Sequence, residues 1–370
     1  MTPWARAGPR ADVPFGAVYR RSLAALAVGV AMACGARAAS AERPVSKSRR
    51  AAALGAAVFP GVLAHGSGHF VLGERRAARR LLAAEGIGLG VAAAGGVPLF
   101  LTGASRHYTA VPVALLVSGA GVLLLSWAAD LYGASGAAGP RTPPAAAPVE
   151  LELGYGYVQD PRFDYGSFAI AAASVDVGPV ALAPVAWLAL DDDNQRLRLE
   201  GRYRFWRGDD ASRLEVTAAA THHRYPDDGF AVSTLEGAVG GRLDMARVGD
   251  TMAGSFADLS LGLGGELTNY YTPGAGADLG EMLLVRFAYG VAFGCPGRVH
   301  GEASIYYDHR RDTFAGGISP GTGPGSGFMG LIGAEGLVHL DARWGVRVRV
   351  EQGAARVFSA GILTRFGDSR

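Results

Sequence analysis

Cysteine is nearly absent. Cys34 and Cys295 are the two in 370 residues, which excludes a disulfide scaffold. Lysine is scarcer still: Lys47 stands alone, and arginine carries the rest of the positive charge. The formal net charge is +2, which leaves no electrostatic footprint for nucleic acid. A Walker-type phosphate loop and a dinucleotide fingerprint are both missing. No cofactor is expected. What abounds instead is glycine, with 55 residues, and a patterned distribution of apolar side chains.

The first 41 residues read as an export signal. Arg20 and Arg21 end a basic segment, the apolar run SLAALAVGVAMACGA follows, and Ala36-Arg37-Ala38 and Ala39-Ser40-Ala41 offer cleavage sites. Cys34 within AMAC offers lipoprotein processing as the other route, although Ala31 stands where a lipobox usually has Leu. Removing residues 1–41 takes away five arginines and Asp12, and moves the formal charge from +2 to about −2.

Residues 42–133 read as a helical hairpin region. One helix is expected from about Arg76 to Thr102 and another from about Thr109 to Leu131. Each holds about 20 largely apolar residues, enough for a hydrocarbon layer of roughly 30 Å. The link GASRHY is short, so the two helices should run antiparallel, with Gly86, Gly90 and Ala94 permitting close approach. Within this region His65 and His69 are four apart, a spacing that on a helix would place two imidazoles on one face, as in zinc sites. Gly66 and Gly68 weigh against a helix there, and Glu74 or Glu85 could add a ligand only by folding back. Arg75, Arg76, Arg79 and Arg80 share one helical face. They suit lipid phosphates at a membrane surface, or a flank that fixes orientation.

Residues 134–148, ASGAAGPRTPPAAAP, form a linker whose prolines and small side chains cannot build a core. From 149 to 370 the period becomes two, the strand period. In ELELGYGYV, Leu151, Leu153, Tyr155 and Tyr157 oppose Glu150, Glu152, Gly154 and Gly156. In RLRLEGRYRF, Leu197, Leu199, Tyr203 and Phe205 oppose Arg196, Arg198, Glu200, Arg202 and Arg204. In WGVRVRVEQ, Val346, Val348 and Val350 oppose Arg347, Arg349 and Glu351. About twelve such segments recur, most of them about ten residues long, as a tilted membrane strand requires. Longer polar links alternate with shorter turns, the pattern of a barrel with two unequal ends. The link RVGDTMAG is longer than that pattern wants.

On the signal, the alternating strands, the link asymmetry and the closing segment RVFSAGILTRF, residues 150–370 resemble the outer-membrane β-barrels of Gram-negative bacteria. Such barrels commonly end on an aromatic residue, whereas here Phe366 is followed by Gly-Asp-Ser-Arg. The expected fold is therefore mainly β: a transmembrane antiparallel up-and-down barrel of about twelve strands, preceded by a small Ala/Gly-rich hairpin. The resemblance implies a place in the cell outer membrane and contact with its lipid. An inner-membrane tether through the hairpin is the alternative.

On this reading Arg196, Arg198, Glu200, Arg202, Arg204, Arg347 and Arg349 face a charge-lined lumen. The lumen is either a stiffening ion-pair network or a narrow path for a small solute. Two further readings stay open: an outer-membrane hydrolase or acyltransferase acting on lipid, and a tethered β-domain binding an unknown partner. For the enzyme, Ser304 with His300, His309, His222 or His223 are the side chains to consider, and Ser304 lies in no G-x-S-x-G context. No catalytic residue is assigned.

Overall fold

Leu197, Leu199, Tyr203 and Phe205 stand exposed on one side of a strand wall, and Arg196 to Arg204 project from the other. That wall belongs to a computed structural model describing residues 45–103, 109–137, 139, 147–160, 166–226, 228–294, 299–310, 313–315 and 330–367. The expected signal, both cysteines, Arg298 and most of the proline linker lie outside the described residues.

Twelve strands run in chain order: β1 (Val149–Gln159), β2 (Ser167–Val177), β3 (Val180–Ala189), β4 (Gln195–Arg207), β5 (Arg213–Tyr225), β6 (Phe230–Asp244), β7 (Ser255–Tyr270), β8 (Ala277–Gly294), β9 (His300–Asp308), β10 (Leu331–His339), β11 (Trp344–Gln352) and β12 (Arg356–Phe366). Each pairs antiparallel with its neighbours in sequence, and β1 closes on β12, with Tyr155 opposite both Ala360 and Ala169. Closure removes every sheet edge. The barrel that the alternation predicts is thus present, with strand starts displaced by up to a few residues, as at β8 and β10.

An even strand number brings the start of β1 and the end of β12 to one rim, called here the near end. The links 178–179, 208–212, 245–254 and 340–343 lie there too. At the far end the interior is closed by an apolar cluster that includes Val158, Phe168, Trp187, Tyr225, Phe230, Leu331 and Val357. Between the ends the interior is polar.

Among the described residues four helices precede the barrel: α1 (Lys47–Val58), α2 (Ser67–Leu72), α3 (Arg75–Leu101) and α4 (Ala110–Ser135). Ser46 caps α1 by accepting from the Arg49 N–H. Gly66 at φ 90° and Gly73 at φ 91° bound α2 in left-handed backbone that only glycine adopts freely. α3 and α4 are long and apolar enough to cross a membrane and pack antiparallel. The close approach differs from the expected stripe. A Cβ on Gly86 or Gly90 would meet open space, whereas one on Gly95 would lie 2.2 Å from the Pro112 carbonyl and one on Gly119 2.3 Å from the Ala92 nitrogen. The face is set by buried Leu81, Glu85 and Gly88, which continue at Gly95; Gly86 and Gly90 lie on the opposite side.

α4 also packs on β7 and β8. Its Ala129, with Ala77 and Leu81 of α3, meets Met245 and Met252 in the 245–254 link. That link is two 3-10 turns, Met245–Arg247 and Asp250–Met252, and its added length provides the shelf on which the helices rest.

Candidate functional site

Every inward position on β4 carries charge, and the barrel supplies partners from other strands. Arg198 donates to Glu236 at 2.6 Å and to Glu200 at 3.1 Å. Arg202 lies 3.0 Å from Glu200, and Arg204 lies 2.6 Å from Asp176. Arg347 reaches Glu152 at 2.5 Å, Glu335 at 3.3 Å and Glu150 at 3.4 Å, while Arg349 meets Glu335 at 3.0 Å. Arg196 is buried near the far end, opposite Trp187 on β3. The seven lumen residues expected from alternation thus project inward, and six of them line one interior cavity of about 620 Å³. Arg204 sits at the near end of that face.

Other members of the network were not singled out from sequence. Arg242 on β6 is held by Asp258 at 2.9 Å and by Glu302 at 3.0 Å, with its guanidinium 3.7 Å from the Phe256 ring centroid. Arg242 shares parity with Glu236 on β6, an acid that the alternation does place in the lumen, and Asp176 shares parity with Phe168 on β2, so the same alternation could have found Arg242 and Asp176. Arg310 carries no such signal. It follows β9, outside any strand, and lies 3.0 Å from Asp308 and 3.5 Å from Glu236. Nine arginines and ten carboxylates line the cavity, so the network is close to electroneutral as a whole. Ionised partners inside a confined wall offset the desolvation that each would suffer alone.

The same link carries Phe314 into the far end of the lumen. Its ring centroid lies 4.9 Å from Phe168, 5.5 Å from Trp187 and 4.7 Å from His223. The Ala354 N–H donates to the Ala315 carbonyl at 2.7 Å and pins the segment to the β11–β12 turn. His223 is fixed in turn by Asn194 at 2.9 Å and by the Tyr225 hydroxyl. Phe314 is therefore packed among Phe168, Trp187 and His223 at the far end.

The histidines noted in the helical region do not share a face. His65 precedes α2 and His69 lies within it, on either side of left-handed Gly66. His65 Nδ1 lies 2.7 Å from Ser126 Oγ, and its backbone N–H donates to Glu85 at 2.8 Å. His69 Nδ1 lies 2.6 Å from Asp130 Oδ1, and its Nε2 lies 3.1 Å from Thr251 Oγ1. Asp130 also accepts from the N–H groups of Gly66, Gly68 and His69. Both glutamates do fold back, yet among the described residues no three metal-binding groups converge.

The order Asp130, His69, Thr251 is that of an acyl-transfer relay. Its hydroxyl proton, however, goes to Glu74 Oε2 at 2.7 Å. A Cβ on Gly133 would lie 2.3 Å from His69 Nε2, so the α4 backbone closes over that nitrogen. The chain of bonds fastens helices to barrel, and the Thr251 hydroxyl is committed to Glu74.

Among the other candidates, Ser304 and His300 lie four residues apart on β9, about 13 Å along the strand. His309 bonds Tyr307, and His222 bonds Ser233 at 2.9 Å on the outer wall.

No protein-family model matches the chain, and no curated protein matches it. Among solved structures it is similar to the KdgM porin, at 7% identity and TM-score 0.38 over 59% of this chain and 99% of that one. It is similar to the NanC porin at 11% identity and TM-score 0.36, over 59% and 100%. The outer membrane protein Omp33 of Acinetobacter baumannii matches at 12% identity and TM-score 0.32, over 60% and 98%.

Proposed function

We propose that the chain is exported to the outer membrane and forms a barrel there, enclosing a narrow polar path for a small solute that Phe314 stops at the far end. The observation that carries this reading is the inversion of the wall. Leu153, Leu199, Leu235, Leu263, Ile305 and Ile362 stand exposed outside while arginines and carboxylates line the inside. A wall so built would show water a continuous apolar belt far larger than a soluble monomer carries, and suits hydrocarbon instead. The paired arginines favour a solute that exchanges ion pairs over one captured by a bare positive ring.

The test is fractionation of cells expressing the chain, gel migration with and without boiling, and then conductance of the purified protein in planar bilayers. Outer-membrane recovery, a heat-shifted band and small discrete currents are expected. Recovery from the inner membrane with no shift overturns the reading. A shifted band without current retains the barrel and removes the path.

One contact favours a second reading, hydrolysis or acyl transfer on lipid: the His222–Ser233 pair faces outward near the far end. Loss of lipase activity in Ser233→Ala, with the band shift intact, would support it. Absence of activity in the parent removes it.

A further inference from the structure

α4 does not stand apart from the barrel. A Cβ on Gly121 would lie 2.6 Å from the Phe287 ring, and Tyr132 meets Tyr289 edge-on at 6.3 Å between centroids. Phe287 and Tyr289 are outward residues of β8, on the opposite face from Arg286, which lines the lumen. The helix thus occupies a strip of outer wall that would otherwise meet lipid. α3 lies against α4 through Gly88, Gly95 and Gly119, so the two helices form one slab.

The remaining surface of that slab is apolar and exposed at Leu82, Ile87, Leu89, Val97, Phe100 and Val111. Its acids point the other way. Glu85 and Asp130 are buried and hydrogen-bonded, as carboxylates at membrane depth must be. From Leu81 to Leu101 α3 spans about 30 Å, one hydrocarbon thickness.

Immediately before that span come Arg75, Arg76, Arg79 and Arg80, all exposed. Arg80 fixes their level by donating to the carbonyls of Arg247 at 2.6 Å and Val248 at 3.2 Å, at the near rim. The apolar slab is therefore continuous with the belt of the barrel, and the arginines stand where the belt ends.

We infer that the α3–α4 hairpin lies in the same bilayer as the barrel, with β7 and β8 at its back and lipid on its other face, and that Arg75, Arg76 and Arg79 bind the phosphates of anionic phospholipid at the near surface. This rests on the membrane reading of the barrel. Guanidinium groups at a bilayer surface pair with phosphate oxygens through charge-assisted bonds, and the apolar run that follows fixes their depth.

The test uses the full chain with both natural cysteines replaced by serine. Single spin labels are placed through Leu89→Cys on the hairpin, Leu199→Cys on the belt and Asp341→Cys in a near-end turn. The protein is reconstituted in vesicles of phosphatidylethanolamine and phosphatidylglycerol. Oxygen should relax the labels at 89 and 199, and a water-soluble nickel chelate the label at 341. Nickel access at 89 with oxygen access at 199 overturns the hairpin assignment while leaving the barrel in lipid. Nickel access at both overturns the membrane reading of the barrel itself.

For the arginines, spin-labelled phosphatidylglycerol and phosphatidylcholine are compared as the lipid immobilised by the protein. A preference of at least about fivefold for the anionic lipid is expected. It should fall to near parity in Arg75→Gln/Arg76→Gln/Arg79→Gln, with the band shift on boiling retained as a check of folding. An undiminished preference in that variant overturns the assignment of these arginines.

Discussion

His69 Nε2, in the helical region, lies 3.1 Å from Thr251 Oγ1, in the barrel's 245–254 link. The imidazole is fully buried and its other nitrogen is bound to Asp130. Removing it leaves Asp130 without its side-chain partner and a void between helix and barrel. His69→Ala should loosen docking by about 2–4 kcal/mol, and Thr251→Val, which keeps the volume, by about 1 kcal/mol. Trypsin cleavage in the Arg75–Arg80 segment, measured in detergent micelles, should accelerate in that order with the boiled-band shift unchanged. Equal rates in all three proteins would mean that the contact does not hold the helices.

Glycine positions give a sharper contrast. Gly133→Ala forces a methyl group to within 2.3 Å of His69 Nε2, against the rigid α4 backbone, and should undock the helices as His69→Ala does. Gly90→Ala adds a methyl where nothing lies within 4 Å and should stabilise α3 by up to about 1 kcal/mol. Helix content on heating, followed by circular dichroism, separates the two.

Arg242 tests whether the lumen charges act as a network. Arg242→Met leaves Asp258 and Glu302 facing each other without their shared cation, at a cost of about 3–5 kcal/mol. Adding Asp258→Asn and Glu302→Gln should recover much of that loss, because no unpaired charge then remains. The midpoint of urea unfolding in micelles reports both. No loss in the single variant would show that water already serves these carboxylates.

The near-end turn responds to acid. Burial pushes the Asp210 carboxyl up, but bonds from Arg247 and Ser212 outweigh it and hold the group at about 2. A depressed carboxylate stabilises the folded turn above its unfolded value near 4, and that contribution is lost as pH falls from about 4 to about 2. Arg247→Gln should return Asp210 toward the ordinary carboxylate range. Asp341, lowered by the N–H groups of Trp344 and Arg343, should not move. Carboxyl carbon shifts followed by NMR in micelles distinguish the two.

The barrel was legible because its wall is periodic. Once Leu197 and Leu199 are assigned to one face, Arg196 and Arg198 must take the other, and the same parity reaches Arg347 and Arg349. Phe314 and Arg310 follow no period, because their places depend on a loop folding back over a closed wall. The stripe of Gly86 and Gly90 failed for a related reason. A four-residue spacing names a helix face but not its neighbour, and the neighbour was chosen by Leu81 and Glu85. RVGDTMAG stood out as too long for a turn, yet its reason, the docked helices, lies in contacts about 170 residues away in sequence, such as Arg80 with Arg247.

On the proposed solute path, Phe314 is the residue that should decide whether the lumen conducts. Its side chain is buried and in contact with Phe168, Trp187 and His223, and the backbone at Ala315 is tied to Ala354. Phe314→Ala removes the ring but keeps the backbone tie, so the segment stays seated while the aromatic ring around it loses its centre. Below that level paired arginines and carboxylates line a cavity of about 620 Å³, so the aromatic tier is the expected barrier on the proposed path. Conductance of Phe314→Ala in planar bilayers should rise by about severalfold over the parent, and Phe314→Trp should abolish current. The cavity left costs about 3–5 kcal/mol, so the band shift on boiling must be checked alongside. Equal currents in parent and Phe314→Ala would place the barrier in the ion-pair network, and Arg242→Met with its two neutral partners would then be the variant that opens it.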